Sequence, residues 1–200
     1  AVVAGVVGDE PPPAESPDTT HLTVVDGDGN IACITHSNGQ PSGVVTPGLG
    51  FVYNNGMNRF DPRPGRASSL SPGKARVHLM MPSLVFKEHT PVMALGAPGG
   101  NAILSALVQT LSNVVDFGMS PVEAVSATRI HAEGSTVWCE ARVRSKVVAE
   151  LRDRGFTVVQ RPDSFASGMA RAQLATIRPD GELAGASDPR GSSSGVAYVR

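Results

Sequence analysis

The amino-acid sequence predicts an α+β fold in which strands and helices form a layered sandwich. Two hairpin signals, one near each end, flank a central region with two or three helical segments. Strands followed by helices and then strands again do not suit a doubly wound parallel sheet, in which the two alternate. The 200 residues are 40% hydrophobic, which is enough for the core of one domain.

The first hairpin follows a segment of different composition. Residues 21–25 and 31–35 are rich in β-formers, and the Asp-Gly steps between them supply the positive-φ positions of a tight turn. Residues 8–18 combine three consecutive prolines with several acids, which is typical of a linker. Thr19 therefore stands where the predicted linker meets the first strand.

The rest of the chain gives the other elements in order. Residues 38–50 are predicted to be a loop, and residues 61–74 an irregular excursion, because both are rich in Gly, Pro and Ser. Strands are predicted at 51–53, 83–86, 92–95, 156–160, 172–177 and 182–186. Helices are predicted at about 101–117, from the Ser120 N-cap to about 128, and at 144–154.

Composition excludes several partners and groups. The 17 basic and 18 acidic residues give a formal net charge of -1, so neither nucleic acid nor a membrane surface is an expected partner. Cys33 and Cys139 are predicted to be buried thiols, since two cysteines make no disulfide framework. The histidines and acids lack metal-ligand spacing, and no metal or cofactor is predicted.

Thr19 is a candidate N-terminal nucleophile. A free α-amine, with a reference pKa of about 7.7–8.0, can take the hydroxyl proton. Thr35 or Ser37 is the candidate to orient that group, and Gly99 with Gly100, before a predicted helix, is the candidate oxyanion site. A threonine at a strand start is also commonly only a β-former.

A series of sequence blocks resembles the small subunit of the γ-glutamyltranspeptidases. They are Thr19-Thr20-His21-Leu22-Thr23-Val24-Val25-Asp26, Asn54-Asn55-Gly56-Met57, Pro82-Ser83-Leu84-Val85, Gly96-Ala97-Pro98-Gly99-Gly100, Asp116-Phe117-Gly118-Met119, Ala127-Thr128-Arg129-Ile130-His131 and Gly185-Ala186-Ser187-Asp188-Pro189-Arg190. They stand in the family's order across residues 19–190.

The resemblance implies the C-terminal half of an N-terminal nucleophile hydrolase, a four-layer αββα sandwich. Residues 1–18 would end the large-subunit segment, and residues 19–200 would form the small-subunit domain. Thr19 would attack the Asp18 carbonyl to free its own amine and then carry the acyl group. Thr20 matches the second family threonine, Ser37 supports the nucleophile, and Gly99 and Gly100 match the oxyanion pair.

The departures from the family lie in the substrate pocket, which the resemblance assigns to Asn55, Arg59, His78 and Leu79. Arg59 stands in place of the family's acid that binds the α-ammonium of the donor. His78 and Leu79 stand in place of the two family serines that bind the α-carboxylate of the donor. Residues 68–72 look like that serine motif but lie too far upstream. If Arg59 faces the pocket, a γ-glutamyl donor is expected to bind poorly, and an acyl group with a carboxylate or without charge is expected to fit. The alternative is that Arg59 points to solvent.

The resemblance also implies a partner, the large N-terminal subunit of the same precursor, in a heterodimer or a dimer of heterodimers. Without it, one sheet face would be uncovered. The small-molecule partner would be an amide or peptide donor. Family members are often periplasmic or secreted. The alternative function is that of an unprocessed, catalytically silent member with a scaffold or interaction role. His21 could also be considered as a metal ligand or a base, but its place in the strand motif favours a structural role, and His131 is expected to pack.

Overall fold

The computed structural model describes residues 19–191, so the predicted linker of residues 1–18 lies outside the described residues. The strands are β1 (Thr19–Val25), β2 (Ile31–Ser37), β3 (Pro41–Val45), β4 (Val52–Asn54), β5 (Ser83–Lys87), β6 (Thr90–Gly96), β7 (Ile130–Glu133), β8 (Thr136–Cys139), β9 (Thr157–Gln160), β10 (Gln173–Ile177) and β11 (Leu183–Ser187). The helices are α1 (Ala102–Val115), α2 (Pro121–Ser126) and α3 (Ser145–Asp153). None of these helices is long and apolar enough to cross a bilayer.

A four-stranded antiparallel sheet in the order β11-β10-β6-β5 forms the centre of the molecule. Helices α1 and α2 pack on one face of this sheet because their apolar side chains repeat at helical spacing. The core between sheet and helices contains Met93, Leu95, Ile103, Leu107, Val125 and Leu174. Because these side chains pack together, helix α1 is held against the sheet, and its first turn lies directly after the Gly-rich turn that follows β6.

The β1–β2 hairpin covers the other face of the sheet. The His21 ring occupies the space above Gly96 of β6, and the Cys33 Sγ lies 3.5 Å from the Leu95 carbonyl oxygen. On the outward face of the hairpin, Leu22, Val24 and Ile34 are 45%, 53% and 51% exposed. The described residues thus form three layers, which are helices, sheet and hairpin. The apolar outward face of the hairpin is not covered by another described element.

A second core lies beside this sandwich, in the sheet β7-β8-β9 and helix α3. Strands β8 and β9 pair in parallel, and α3 is the connection between them. Cys139 is fully buried in this core, as predicted, whereas Cys33 is only partly buried.

A buried ionic network joins the two cores. The Arg129 guanidinium lies 2.6 Å from Asp188, and Arg190 lies 2.6 Å from Glu140 and 3.0 Å from Asp188. All four side chains are nearly inaccessible to solvent. Their ion pairs therefore replace the hydration that these charges lose on burial. Three of them fall within the sequence blocks that carry the family resemblance.

The structure corrects two predictions of secondary structure. Residues 38–50 are not entirely loop, because β3 pairs with β4 there and the Ser42 hydroxyl donates to the Tyr53 carbonyl oxygen at 2.7 Å. Strands β7 and β8, of four residues each, were not predicted. The other predicted strands and helices are present within one or two residues, and Ser120 forms the predicted capping box with Glu123.

Candidate active site

Thr19 and Ser37 meet at the open end of the β1–β2 hairpin. The hairpin register pairs the two residues directly, and their hydroxyl oxygens lie 2.6 Å apart. The turn fixes this register, because the Asp26 carboxylate accepts the backbone N–H groups of Asp28 and Asn30 at 3.0 and 2.8 Å. The Gly39 N–H donates to the Ser37 Oγ at 2.9 Å, which leaves the Ser37 proton available for Thr19.

Thr35, the other candidate for orienting the nucleophile, is engaged elsewhere. Its hydroxyl lies 2.7 Å from the His21 Nδ1, while the His21 Nε2 lies 3.0 Å from the Thr23 Oγ1. Burial lowers the pKa of His21 to about 4, so the ring is neutral near pH 7. His21 therefore packs β1 against β6, and Ser37 is the hydroxyl that reaches Thr19.

Gly99 and Gly100 line the same cavity as Thr19 and Ser37. They lie between β6 and α1 with positive φ values of 142° and 55°. Side chains other than glycine rarely adopt such conformations, so the sequence Gly-Gly permits this turn. The turn sets two consecutive peptide groups at the start of a helix, where backbone N–H groups can receive negative charge.

The cavity has a volume of about 380 Å³ and one basic wall. The wall comes from residues 56–59 and 76–80, and it includes the predicted residues Arg59, His78 and Leu79. Arg59 is exposed and its Nη1 lies 3.5 Å from the Asn101 Oδ1, so it turns toward the cavity rim. The His78 Nδ1 accepts the Met80 N–H at 3.0 Å, and burial together with the charges of Arg76 and Arg59 lowers the pKa of His78.

Two predicted residues lie beside the cavity and are not among its lining residues. Thr20 is exposed, and it pairs with His36 on the hairpin next to the Thr19–Ser37 pair. Asn55 is partly buried, and its N–H donates to the Asn38 carbonyl oxygen at 3.1 Å. This bond ties the turn of residues 56–59 to the end of β2, so Asn55 positions the basic wall.

Three lining residues with titratable side chains, Arg76, His131 and Glu133, were missed as site residues in the sequence. Arg76 sits two residues before His78, in a stretch without regular structure, and no local pattern marks it. His131 was expected to pack, and it does stack on Trp138, but it also lines the cavity together with Glu133. The His131 Nε2 lies 3.0 Å from Glu133 Oε1 and its Nδ1 lies 2.9 Å from the Ser105 Oγ.

The charges of the cavity are therefore unevenly distributed. Among the described residues that line it, Glu133 is the one acid, and it stands on β7 rather than on the basic wall. No group of three His, Cys, Asp or Glu side chains suited to a metal ion occurs within residues 19–191. The arrangement can bring a hydroxyl nucleophile, a helix N-terminus and a cationic wall to one small molecule.

Comparison with known families agrees with this geometry. The family model described as "Gamma-glutamyltranspeptidase" matches residues 6–198. The chain is 40% identical over 185 residues to the Acylase ACY 1 proenzyme of Pseudomonas sp. (strain V22), covering 92% of this chain and 32% of that protein. It is 33% identical over 203 residues to the Glutathione hydrolase proenzyme of Pseudomonas aeruginosa, covering 92% of this chain and 35% of that protein.

Solved structures share the fold. The gamma-glutamyltranspeptidase from Pseudomonas nitroreducens complexed with L-DON superposes with a TM-score of 0.78 at 32% identity, covering 90% of this chain and all of that chain. The cephalosporin acylase from Bacillus halodurans superposes with a TM-score of 0.82 at 31% identity, covering 90% of this chain and 34% of that chain. The chain spans about a third of the length of the curated relatives it matches. Its fold is that of the N-terminal nucleophile hydrolases, and the chain belongs to the gamma-glutamyltranspeptidase family.

Proposed function

We propose that this chain is the nucleophile-bearing part of an amide hydrolase or acyltransferase that forms an acyl-enzyme on Thr19. The observation that supports this most directly is the 2.6 Å contact between the Thr19 and Ser37 hydroxyl oxygens in the cavity that Gly99 and Gly100 also line. A hydroxyl at the first position of a strand, oriented by a second hydroxyl, is suited to nucleophilic catalysis once its α-amine is free.

The proposed maturation is cleavage of the Asp18–Thr19 bond. The Thr19 Oγ1 adds to the Asp18 carbonyl carbon, the peptide C–N bond breaks, and the α-amine of Thr19 takes up a proton as the acyl group moves to oxygen. Water then hydrolyses that ester. The product is a chain that begins at Thr19 with a free amine, which is the base that the later reaction requires.

In the reaction with substrate, that amine accepts the Thr19 hydroxyl proton as Oγ1 attacks the donor carbonyl carbon. The Gly99 and Gly100 N–H groups would stabilise the developing oxyanion, and Ser37 would donate to Thr19 Oγ1. The donor C–N bond breaks, and the leaving amine receives the proton. Water or a second amine then attacks the ester carbonyl and regenerates the free hydroxyl.

The donor pocket is proposed to differ from a γ-glutamyl pocket. Arg59 stands on its wall at the place where the family resemblance expects an acid for the donor ammonium. Two unit charges at about 4 Å interact by about 4 kcal/mol at an effective dielectric constant of 20, so reversing one of them disfavours an ammonium strongly. The matched relatives include proteins named acylase and proteins named glutathione hydrolase, so both donor classes are candidates to compare.

The proposed partner is an N-terminal half that covers the outer face of the β1–β2 hairpin. Three apolar side chains of that face, Leu22, Val24 and Ile34, are about half exposed in the described residues. Contiguous apolar surface of this kind is normally buried against another element. The two relatives described above are both named proenzymes, and this chain aligns with about a third of each.

A panel of p-nitroanilide donors with γ-glutamyl, glutaryl and neutral acyl groups tests the function. The native protein is expected to release p-nitroaniline, and Thr19→Ala is expected to abolish both release and cleavage before residue 19. Thr157→Ala is the matched control, since Thr157 is an exposed residue that begins β9 away from the cavity. If Thr19→Ala keeps its turnover, or if the native protein stays uncut and inactive on every donor, the proposal fails and the scaffold role gains support.

A further inference from the structure

A basic loop, residues 59–76, lies beside the cavity in the irregular stretch between β4 and β5. It holds five of the 17 basic residues of the chain and a single acid, Asp61, which pairs with Arg63 at 2.8 Å. The other four cations of the loop have no carboxylate partner within residues 19–191. They are Arg59, Arg66, Lys74 and Arg76. The described part of the chain therefore leaves most of the positive charge of this loop uncompensated.

The basic loop reaches from the cavity to the outer surface. Arg59 and Arg76 line the cavity, which Thr19 also lines. Arg66 and Lys74 are exposed and are not among the lining residues. The Lys74 Nζ donates to the Arg66 carbonyl oxygen at 3.0 Å, which ties the two arms of the loop together. A segment that leaves the cavity beside Thr19 can therefore meet positive charge along the loop.

The chain itself contains a segment of opposite charge that is attached at this cavity. Residues 1–18 have four acids and no Lys or Arg. The acids are Asp9, Glu10, Glu15 and Asp18, and the last of them directly precedes Thr19. An extended chain spans at most about 3.3–3.6 Å per residue, so Asp9 can lie up to about 35 Å from Thr19. The acids can therefore reach both the cavity end and the outer part of the basic loop.

We propose that residues 9–18 of the uncleaved chain dock on the basic loop and that this contact holds the Asp18–Thr19 bond in the cavity for cleavage. The inference rests on the proposed function, because cleavage before Thr19 is a part of it. Exposed ion pairs are individually weak, but attachment at Thr19 gives the segment a high effective concentration at the loop. Cleavage removes this attachment and opens the cavity to the donor.

Charge and composition favour this segment over a separate anionic partner. The basic loop has four more bases than acids, and residues 1–18 have four more acids than bases. Three consecutive prolines, residues 11–13, restrict the backbone, so less conformational entropy is lost when the segment becomes ordered on a surface. The whole chain has a formal net charge of -1, which gives a separate polyanion no long-range attraction.

Zero-length cross-linking tests the contact itself, without any need for cleavage. The protein is Thr19→Ala in the native assembly, in which residues 1–18 are expected to stay attached. A water-soluble carbodiimide couples a carboxylate to the amine of Lys74, and mass spectrometry identifies the linked residues. Links from Lys74 to Asp9, Glu10 or Glu15, lost in about 0.5 M salt, are expected because salt screens exposed charges. Links from Lys74 to other acids only, or none at all, overturn the proposal.

Charge substitution tests whether the contact promotes cleavage. Glu10→Gln/Glu15→Gln is expected to slow the appearance of the chain that begins at Thr19 by about 2- to 30-fold, since two exposed ion pairs are lost. Intact-mass analysis during maturation measures this rate. Glu150→Gln/Asp153→Asn is the matched control, because it removes two exposed acids of α3, and it should leave the rate unchanged.

A charge swap distinguishes a specific contact from a general loss of acid. Arg66→Glu/Lys74→Glu should also slow cleavage, although neither residue lines the cavity. Combining it with Glu10→Lys/Glu15→Lys should restore much of the native rate, because the pairs are rebuilt with their signs exchanged. A combined variant that is as slow as its two parents, while remaining folded, overturns the proposal.

The outcomes separate this inference from the proposed function. Cleavage before Thr19 at a rate that none of these charges affects overturns the inference and leaves the function standing. Lys74 cross-links to residues 9–15 in a native protein that is never cut support the docked contact and overturn the function. Absence of both the cross-links and the cleavage overturns both.

Discussion

The hydroxyl of Ser37 provides a quantitative test of the proposed nucleophile. Its oxygen lies 2.6 Å from Thr19 Oγ1, at the short end of the range for O–H···O bonds. The same oxygen accepts the Gly39 N–H at 2.9 Å, so its single proton can point at Thr19. When Thr19 Oγ1 gains negative charge on losing its proton, that bond becomes one to a charged acceptor, worth about 1.5–3 kcal/mol.

Ser37→Ala is therefore expected to lower kcat/KM by about 10- to 100-fold, since each 1.4 kcal/mol or so of lost transition-state stabilisation is about tenfold. Stability should fall by at most about 1 kcal/mol, because the Gly39 bond is only partly buried. The assay is turnover of the best p-nitroanilide donor, together with urea unfolding to verify the fold. Ser37→Thr is the matched variant, since it keeps the hydroxyl.

Full activity in a folded Ser37→Ala protein would refute this reasoning. It would mean that the short contact is a structural link between strand ends and that Thr19 is activated by another group. Equal losses in Ser37→Ala and Ser37→Thr would also contradict it, because the hydroxyl would then not be the relevant atom.

Two further predictions concern the frame that holds the site. Asp188→Asn is expected to lower the free energy of unfolding by about 3–5 kcal/mol, since Asp188 is 1% exposed and pairs with both Arg129 and Arg190. Urea unfolding measures this change. The control is Asp153→Asn, at an exposed position, which should change the free energy of unfolding little. Burial lowers the pKa of His21 to about 4, so the native state resists a protonation that the unfolded chain accepts near pH 6.5. The free energy of unfolding is therefore expected to fall as the pH drops from 6.5 toward 4, by at most about 3.4 kcal/mol. His21→Gln should flatten this part of the pH–stability curve while exposed His89→Gln leaves it unchanged; identical curves for His21→Gln and the native protein would contradict the assignment.

Local chemistry explains which parts of the fold could be predicted from the sequence. The β1–β2 hairpin follows from Asp-Gly turn residues between β-rich runs, and the α2 start follows from Ser120, Pro121 and Glu123. These signals act over a few residues and need no tertiary context. Thr19, Ser37, Gly99 and Gly100 were candidates on the same local grounds, and the structure brings all four to one cavity.

The residues that escaped prediction depend on distant contacts. Strand β3 contains Pro41 and Gly43, which argue against a strand, and it forms because β4 offers a partner. Strand β8 pairs in parallel with β9 some twenty residues later, which no short-range pattern reveals. The Arg76 guanidinium lies against Gly56, twenty residues earlier in the chain, and donates to its carbonyl oxygen at 3.3 Å.

The most direct test of the central claim, that Thr19 is an N-terminal nucleophile, is mass spectrometry of the native protein quenched in acid during turnover of a p-nitroanilide donor. A polypeptide that begins at Thr19 and carries one acyl group on its first residue is expected. A chain that remains uncut before Thr19 while turning over donor, or an acyl group found on any other residue, would contradict it.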